Sequence, residues 1–139
     1  MENQRSDGPE VLKSGCPFCE IAETKEVHLA SSPTAFAFYD KYPSNPGHAL
    51  VVPRVHVGDL YDVDDSGLAS IWELVSETRT LLSARHSPDG FNIGVNTTEA
   101  AGQTVGHAHI HLIPRYRGDT EDPRGGIRWV LPSTAKYWE

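Results

Sequence analysis

The chain has 139 residues, a length typical of one domain that can bury its own core. A formal net charge of −7 at pH 7 disfavours general binding to nucleic acid or to an anionic membrane. The first residues are polar and no apolar run approaches the length of a membrane span, so we expect a cytoplasmic protein.

In chain order, the first predicted elements are a tail, a short helix and three strands. Residues 1–14 carry few apolar groups and are expected to form a mobile tail. The stretch 19–22 opens a short helix, and 27–40 predicts two short strands around a Ser-Pro turn. The nearly continuous apolar run 47–53 predicts a buried strand that ends at its proline.

The rest of the domain predicts one long helix and two strands. Apolar residues at helical spacing within 64–86 predict the main helix, with Asp65 or Ser66 as its N-cap. Residues 90–97 predict another strand and 106–116 the last one, with a loop between them.

Strands at hairpin spacing with one crossing helix imply an antiparallel α+β fold. We therefore divide the chain into a tail at 1–14, a domain at 15–118 and an extension at 119–139. The extension is rich in glycine and proline and is predicted to be mostly irregular.

Three histidines alternate along the last predicted strand. On a strand, His107, His109 and His111 project from one face. Alternating histidines are one way of holding a transition metal ion. Just upstream, however, Gln103 and Thr104 offer an amide and a hydroxyl to an anion. This combination favours a phosphate-binding pocket over a simple metal site.

The two cysteines form a single CxxC pair, Cys16 and Cys19, which does not indicate a disulfide framework. A redox motif of the glutaredoxin type would need a buried strand just before the pair. Residues 7–15 (DGPEVLKSG) make a poor strand, which disfavours the redox interpretation.

The stretch GQTVGHAHIHLIPR resembles the signature of the histidine-triad (HIT) superfamily. The resemblance extends to CPFCEIA, FAFYDKYPSNPGHALVVPRVH and FNIGVNTTEAAGQTVGHAHIH, and so covers about residues 16–118. It implies an α+β fold with an antiparallel sheet and one main crossing helix. It also implies a homodimer with a continuous sheet, and hydrolysis or transfer of nucleoside monophosphates.

The resemblance implies a role for each residue around the triad. His109 would be the nucleophile that attacks the α-phosphorus of a purine nucleotide, and His111 would hydrogen-bond the phosphate or the bridging oxygen. Gln103, Thr104 and Asn96 would donate neutral hydrogen bonds to the phosphate. His48 has no assigned role and is expected to be structural.

The nucleoside would be bound by an acid and an apolar group. By resemblance Asp40 takes both ribose hydroxyls, whereas its position alone favours a turn-capping aspartate. Phe18, Ile21 and Phe38 would sandwich the base, and ordinary core packing is compatible with that role.

The resemblance also gives the CxxC pair a second interpretation. Some bacterial-type members carry a structural zinc on two cysteines, a histidine after the third strand and the first triad histidine. Here these ligands are Cys16, Cys19, His56 and His107, a standard tetrahedral zinc set. The triad would then be divided, with His107 serving the metal and the other two histidines facing the substrate.

The substrate is left open between two branches of the superfamily. The threonine of GQTV and the Pro-Arg pair of LIPR resemble the fragile-histidine-triad branch, which cleaves diadenosine polyphosphates, whereas the phosphoramidase branch has serine in place of Thr104. A nucleotide sensor with incidental turnover is a third alternative. Arg115, Arg124 and Arg128 would approach distal phosphates or serve as surface charge.

Overall fold

The computed structural model describes residues 15–139. The predicted tail at 1–14 lies outside the described residues. The helices and strands are α1 (Pro17–Ala22), β1 (Ala30–Ser31), β2 (Ala35–Tyr39), β3 (Ala49–Pro53), α2 (Asp65–His86), β4 (Gly90–Val95), β5 (Ile110–Arg115) and α3 (Pro132–Ala135). Single 3₁₀ turns occur at Lys25–Val27, Leu60–Asp62 and Glu99–Ala101, and a longer one at Gly126–Val130.

The strands form one five-stranded sheet in the order β1-β2-β3-β5-β4. Every neighbouring pair is antiparallel, which confirms the predicted α+β fold with one main helix. The register places Leu50 of β3 and Gly94 of β4 on either side of His111 in β5. Opposed residues share a face of the sheet, so these positions lie on the face of the triad.

Each face of the sheet packs against its own hydrophobic cluster. Helix α2 covers one face, where Ile71 and Leu74 belong to one hydrophobic cluster with the buried Ile110 and Leu112 of β5. The other face carries an aromatic and aliphatic cluster that packs against α1. Its members are Cys16, Phe18, Cys19, Ala22, Phe36, Phe38, Leu50 and Val52. This second cluster packs beside the histidines of the triad.

Helix α2 is capped one residue earlier than the sequence indicates. The side chain of Asp64 accepts a hydrogen bond of 2.8 Å from the backbone N–H of Gly67, so Asp64 is the N-cap. Asp65, one of the two predicted caps, is instead the first helical residue. There its negative charge interacts favourably with the positive end of the helix dipole. At the other end, Ser87 adopts a left-handed conformation directly before Pro88, which cannot extend the helix.

The last strand begins at Ile110, later than predicted, so only His111 of the triad lies within it. Pairing with β3 ends at Val51 and Ile110. Upstream of Ile110, the N–H of Ala108 donates to the carbonyl of Val57 at 2.8 Å. The prediction was wrong about the strand start because pairing of this segment stops at Ile110 on both sides, with Val51 of β3 and with Val95 of β4, which periodicity does not reveal.

The C-terminal extension is more ordered than its composition predicts. Arg128 donates to the backbone carbonyls of Thr134 and Ala135, and this closes the segment on itself. A Cβ added to Gly94 would lie 3.4 Å from the terminal methyl of Ile127, so the extension packs over β4. Within residues 15–139, no helix is long and apolar enough to span a bilayer.

Candidate functional site

Two cysteines and two histidines converge beside the start of α1. Cys16 is the N-cap residue of α1, Cys19 lies within the helix, His56 follows β3, and His107 precedes β5. Their ligand atoms all lie within 4.8 Å of one another. The distance from His107 Nδ1 is 3.5 Å to Cys16 Sγ and 3.6 Å to Cys19 Sγ, and Cys19 Sγ lies 3.2 Å from His56 Nδ1.

These distances fit the tetrahedral coordination of one metal ion. Metal bonds of about 2.0–2.3 Å, as zinc makes to nitrogen and sulfur, separate neighbouring ligand atoms by roughly 3.3–3.8 Å. His107 also has the outer hydrogen bond that metal-bound histidines normally make, since its Nε2–H donates to the carbonyl of Pro53 at 2.9 Å. Its Nδ1 lone pair therefore faces the two thiols. Burial lowers the pKa of His107 to about 4 and keeps the ring neutral, as ligation requires.

His109 is buried, with its side chain held in one tautomer. Its Nδ1–H donates to the backbone carbonyl of His107 at 2.9 Å. A carbonyl only accepts, so the proton of the neutral ring is on Nδ1 and the lone pair is on Nε2. The ring lies 5.0 Å from that of His111 and 5.1 Å from that of Phe18, between centroids. His109 therefore has a nucleophilic nitrogen on the face of the sheet shared with His111.

His48 sets the tautomer of His111 through a short chain of hydrogen bonds. The backbone N–H of Ser44 donates to His48 Nδ1 at 2.9 Å, so the neutral His48 ring carries its proton on Nε2. That Nε2 lies 3.0 Å from His111 Nδ1 and donates to it. The proton of neutral His111 is then on Nε2, where it can be donated to a ligand. His109 and His111 thus present opposite groups, a lone pair and an N–H.

The sequence interpretation gave His48 no role. One signal pointed to it, because His48 is two residues before Leu50 and so continues the same face of β3. Leu50 is opposite His111 in the register, and His48 is buried. The strand register, which the sequence alone does not give, is needed to show that His48 is buried on the face of the triad.

Asp40 lies beside this pair. Its Oδ2 is 3.4 Å from His48 Nε2, and its Oδ1 accepts from the backbone N–H of Tyr42 at 2.9 Å. One carboxylate oxygen of Asp40 therefore caps the turn, as the turn-capping interpretation expects. The other oxygen faces His48, within 4.8 Å of a nitrogen of His111. Binding of ribose hydroxyls by Asp40 stays a prediction.

Burial controls the charge of this pair. Desolvation, followed by the proximity of His109 and His48, lowers the pKa of His111 to about 4, against a smaller opposing effect of Asp40. Desolvation likewise lowers the pKa of His48, opposed by Asp40. Both rings are therefore neutral near pH 7, which the hydrogen-bond chain requires.

This predicts loss of stability in weak acid. The unfolded histidines titrate near 6.5 and the folded ones lower, so the unfolded chain binds more protons between pH 6.5 and 4. The free energy of unfolding should therefore fall as pH decreases through this window. Urea titrations of metal-depleted protein across the window measure it, and His111→Gln should reduce the slope. A slope of opposite sign, or one unchanged in His111→Gln, would contradict the assignment.

Gln103 has its amide fully engaged. Its Nε2 donates to the carbonyls of Gly58 at 2.7 Å and Val105 at 3.0 Å, and its Oε1 accepts from the N–H of Thr98 at 2.9 Å. It therefore ties the 98–105 loop to the chain after β3. The structure does not present its side chain as a donor to a phosphate.

The other two predicted donors are more accessible. Thr104 is exposed, and Asn96 is half-buried just after β4. Neither side chain makes a hydrogen bond to another of the residues 15–139 that the structure describes. Both keep their hydrogen-bonding capacity for a ligand, and their role as phosphate donors stays a prediction.

The predicted base-binding residues lie in one cluster, of which Phe18 contacts the ring of His109. Phe18 packs edge-on against Phe38, with 5.6 Å between ring centroids, and both rings are buried. Ile21 is half-buried at the margin of the same cluster. The structure thus brings the three side chains together as core packing, and a role in holding the base stays a prediction.

The three arginines considered for distal phosphates already have partners. Arg115 forms a two-pronged ion pair with Asp119. Arg124 pairs with Asp122, and Arg128 donates to two backbone carbonyls of the extension. These contacts favour structural roles for all three.

Comparisons with known proteins agree with this geometry. The family model described as HIT domain matches residues 22–118. The chain is 34% identical to AP-4-A phosphorylase of Mycobacterium tuberculosis over 107 residues, 74% of this chain and 55% of that protein. It is 32% identical to adenosine 5′-monophosphoramidase hnt1 of Schizosaccharomyces pombe over 116 residues, 82% of each chain.

The likeness extends to solved structures. A Zn-bound histidine triad family protein from Mycobacterium smegmatis matches with a TM-score of 0.69 and 30% identity. The match covers 78% of this chain and 80% of that chain. In this chain the four-ligand cluster described above is a candidate metal site.

Proposed function

The chain belongs to the HIT domain family, and on that basis we propose that it is a nucleotidyl hydrolase acting through a covalent intermediate on His109. The observation that carries the proposal is the pair of fixed tautomers. A nitrogen lone pair on His109 and an N–H on His111 lie on neighbouring rings of one sheet face. Nucleophilic attack and stabilisation of a leaving group need these two groups.

In the first step, the lone pair on His109 Nε2 attacks the α-phosphorus of a nucleotide. A phosphorus–nitrogen bond forms as the bond from phosphorus to the bridging atom breaks, and the leaving group departs with that electron pair. The Nε2–H of His111 hydrogen-bonds the developing charge and can pass on its proton. Water then attacks phosphorus and loses a proton, which restores the Nε2–H of His111. The phosphorus–nitrogen bond breaks with its electron pair returning to His109 Nε2, and a nucleoside monophosphate is released.

The backbone around His109 supports this step. The Nδ1–H bond to the carbonyl of His107 stabilises the positive charge that develops on the ring when Nε2 bonds to phosphorus. His107, a candidate metal ligand, thereby orients the proposed nucleophile through its backbone carbonyl. Asn96 and Thr104 are proposed as neutral donors to the phosphate, since their side chains are free for a ligand.

We propose that the four-ligand site holds a structural zinc. Two thiolates and two imidazoles are the donor set that zinc prefers, and the ligand spacing fits a tetrahedron. All four positions belong to protein side chains, so the ion would have no open position for a substrate. Its contribution would be to fix α1 and the segment before β5 against each other.

The favoured substrates are diadenosine polyphosphates, with nucleoside phosphoramidates as the alternative. A polyphosphate leaving group carries its charge well and needs mainly hydrogen bonds, which His111 supplies. An amine departs poorly unless it is protonated, so a phosphoramidate depends more on a proton relay. Thr104 keeps a hydroxyl for such a relay, but its methyl group restricts its rotamers.

Thr104→Val tests this preference because it keeps the shape of the side chain and removes the hydroxyl. We expect kcat/KM for an adenosine phosphoramidate to fall about tenfold or more, and that for diadenosine tetraphosphate to change far less. Steady-state assays of both substrates measure it, with Thr80→Val on the exposed face of α2 as the control. Equal losses on the two substrates, or a wild-type preference for phosphoramidates, would refute the assignment.

We also propose a homodimer with a sheet continuous across both copies. Strand β4 is at the edge of the sheet, which leaves its outer backbone groups available for pairing. Beside it the extension exposes the apolar side chains of Ile127, Val130 and Leu131. Sedimentation should give the mass of two chains at micromolar concentration, and the mass of one chain would contradict the proposal.

A further inference from the structure

A cavity of about 540 Å³ lies where the C-terminal extension folds back towards the end of β5. Two indoles, Trp129 and Trp138, line it together with Arg115 of β5. Its polar lining also includes Thr120, Lys136 and two acidic residues, Glu121 and Asp122. Neither the triad nor the metal-site residues line this cavity, and the proposed mechanism does not use it.

The cavity lies on the same sheet face as the triad. Along β5, half-buried His111 and Arg115 alternate with buried residues that face α2. The two residues are four positions apart, or about 13 Å along a strand. Asn92 of β4 is opposite Ile113, which lies between His111 and Arg115 on β5. Gly126 of the extension packs beside Asn92, because a Cβ on Gly126 would lie 3.3 Å from the Asn92 side chain. A ligand extending from the triad along β5 would therefore reach the cavity.

The lining suits a flat aromatic group that carries hydrogen-bond acceptors. The indole N–H of Trp138 is buried and has no hydrogen-bond partner within the described residues. Such a donor is costly unless a ligand or a water meets it. A Cβ on Gly125 would lie 3.2 Å from Trp129 and 3.3 Å from Trp138, so only a glycine allows the backbone to approach both indoles.

The charged side chains around the cavity indicate which chemical groups of a ligand could lie next to its aromatic ring. The guanidinium of Arg124 stacks on Trp138 at 4.5 Å and is already paired with Asp122. Arg115 is held by Asp119. The exposed ammonium of Lys136 is the cavity cation best able to turn towards an incoming phosphate. The carboxylate of Glu121 can accept from an exocyclic amine.

We propose that this cavity binds the distal nucleoside of a dinucleoside polyphosphate whose α-phosphorus lies at His109. This inference rests on the proposed function and specifies its substrate class. The base would stack on an indole and satisfy the N–H of Trp138, and the phosphate chain would follow β5 between the two sites. A mononucleotide would occupy the triad alone.

Binding measurements in a His109→Ala background test the inference without turnover. Calorimetry should show diadenosine tetraphosphate binding more tightly than AMP. Adding Trp138→Leu should weaken the dinucleotide about tenfold, because stacking of a base on an aromatic side chain is lost, and leave AMP within about twofold. Tyr61→Leu, at an exposed aromatic residue outside the cavity, is the matched control and should change neither.

A second variant covers the case in which Trp138→Leu disturbs the extension. Lys136→Gln removes only an exposed charge and should weaken the dinucleotide several-fold while sparing AMP. Equal effects on both ligands, or no effect of either variant on the dinucleotide, would overturn the inference. Absence of turnover in the wild type would instead refute the proposed function, and the binding comparison would still decide the role of the cavity.

Discussion

His109→Ala should lower kcat/KM for nucleotide hydrolysis by about 10⁴-fold or more, the scale of loss seen when a covalent nucleophile is removed. The variant keeps the backbone carbonyl of residue 107 and all four candidate metal ligands. Nucleotide binding and thermal stability should therefore survive, and removing the imidazole should affect mainly the chemical step.

The control for this variant is His86→Gln. His86 is a half-buried histidine at the end of α2 that bonds the hydroxyl of Tyr39, outside the triad. It should keep most of the activity. Steady-state kinetics of the two variants beside the wild type measure the contrast. Similar turnover in His109→Ala and the wild type would eliminate His109 as the nucleophile.

The second large effect should follow loss of a metal ligand. Purified protein should contain close to one zinc per chain, and Cys19→Ser should lose it because a serine hydroxyl is a poor zinc ligand. Cys19 is buried and its thiol lies near both candidate histidine ligands. Binding of a structural zinc is coupled to folding, so the variant should lose several kcal/mol of stability.

Chelation supplies the matched control for this prediction. If the cysteine acts through the metal, wild type stripped of zinc and Cys19→Ser should unfold at similar temperatures, and added zinc should rescue only the wild type. Metal analysis and calorimetry measure both effects. A wild-type protein that contains no metal, with free thiols and an unchanged melting temperature after chelation, would contradict the zinc assignment.

The sequence predicted best those elements of the fold whose apolar residues follow a regular local pattern. The helical spacing of the apolar residues of α2 and the apolar run of β3 predicted those elements within a few residues, and the α+β class followed from them. The extension lacks such periodicity. Its short helices depend on contacts such as those of Arg128 with the chain seven residues later, which composition does not reveal.

The site was predictable only where resemblance supplied tertiary information. The candidate metal ligands Cys16 and His107 are 91 residues apart, and no spacing rule joins them. His48 was missed because its role depends on the backbone of Ser44 and on the register of β3 with β5. Gln103 resembled a phosphate donor, but its amide bonds the carbonyl of Gly58, 45 residues away.

Direct capture of the intermediate tests the central claim, covalent transfer of a nucleoside monophosphate to His109. Protein mixed rapidly with diadenosine tetraphosphate and quenched in alkali, which preserves phosphorus–nitrogen bonds, should gain the mass of one adenylyl group. Peptide mapping should place that mass on His109, and His109→Ala should not acquire it. Rapid turnover with no adduct at any quench time, or an adduct on another residue, would contradict the account.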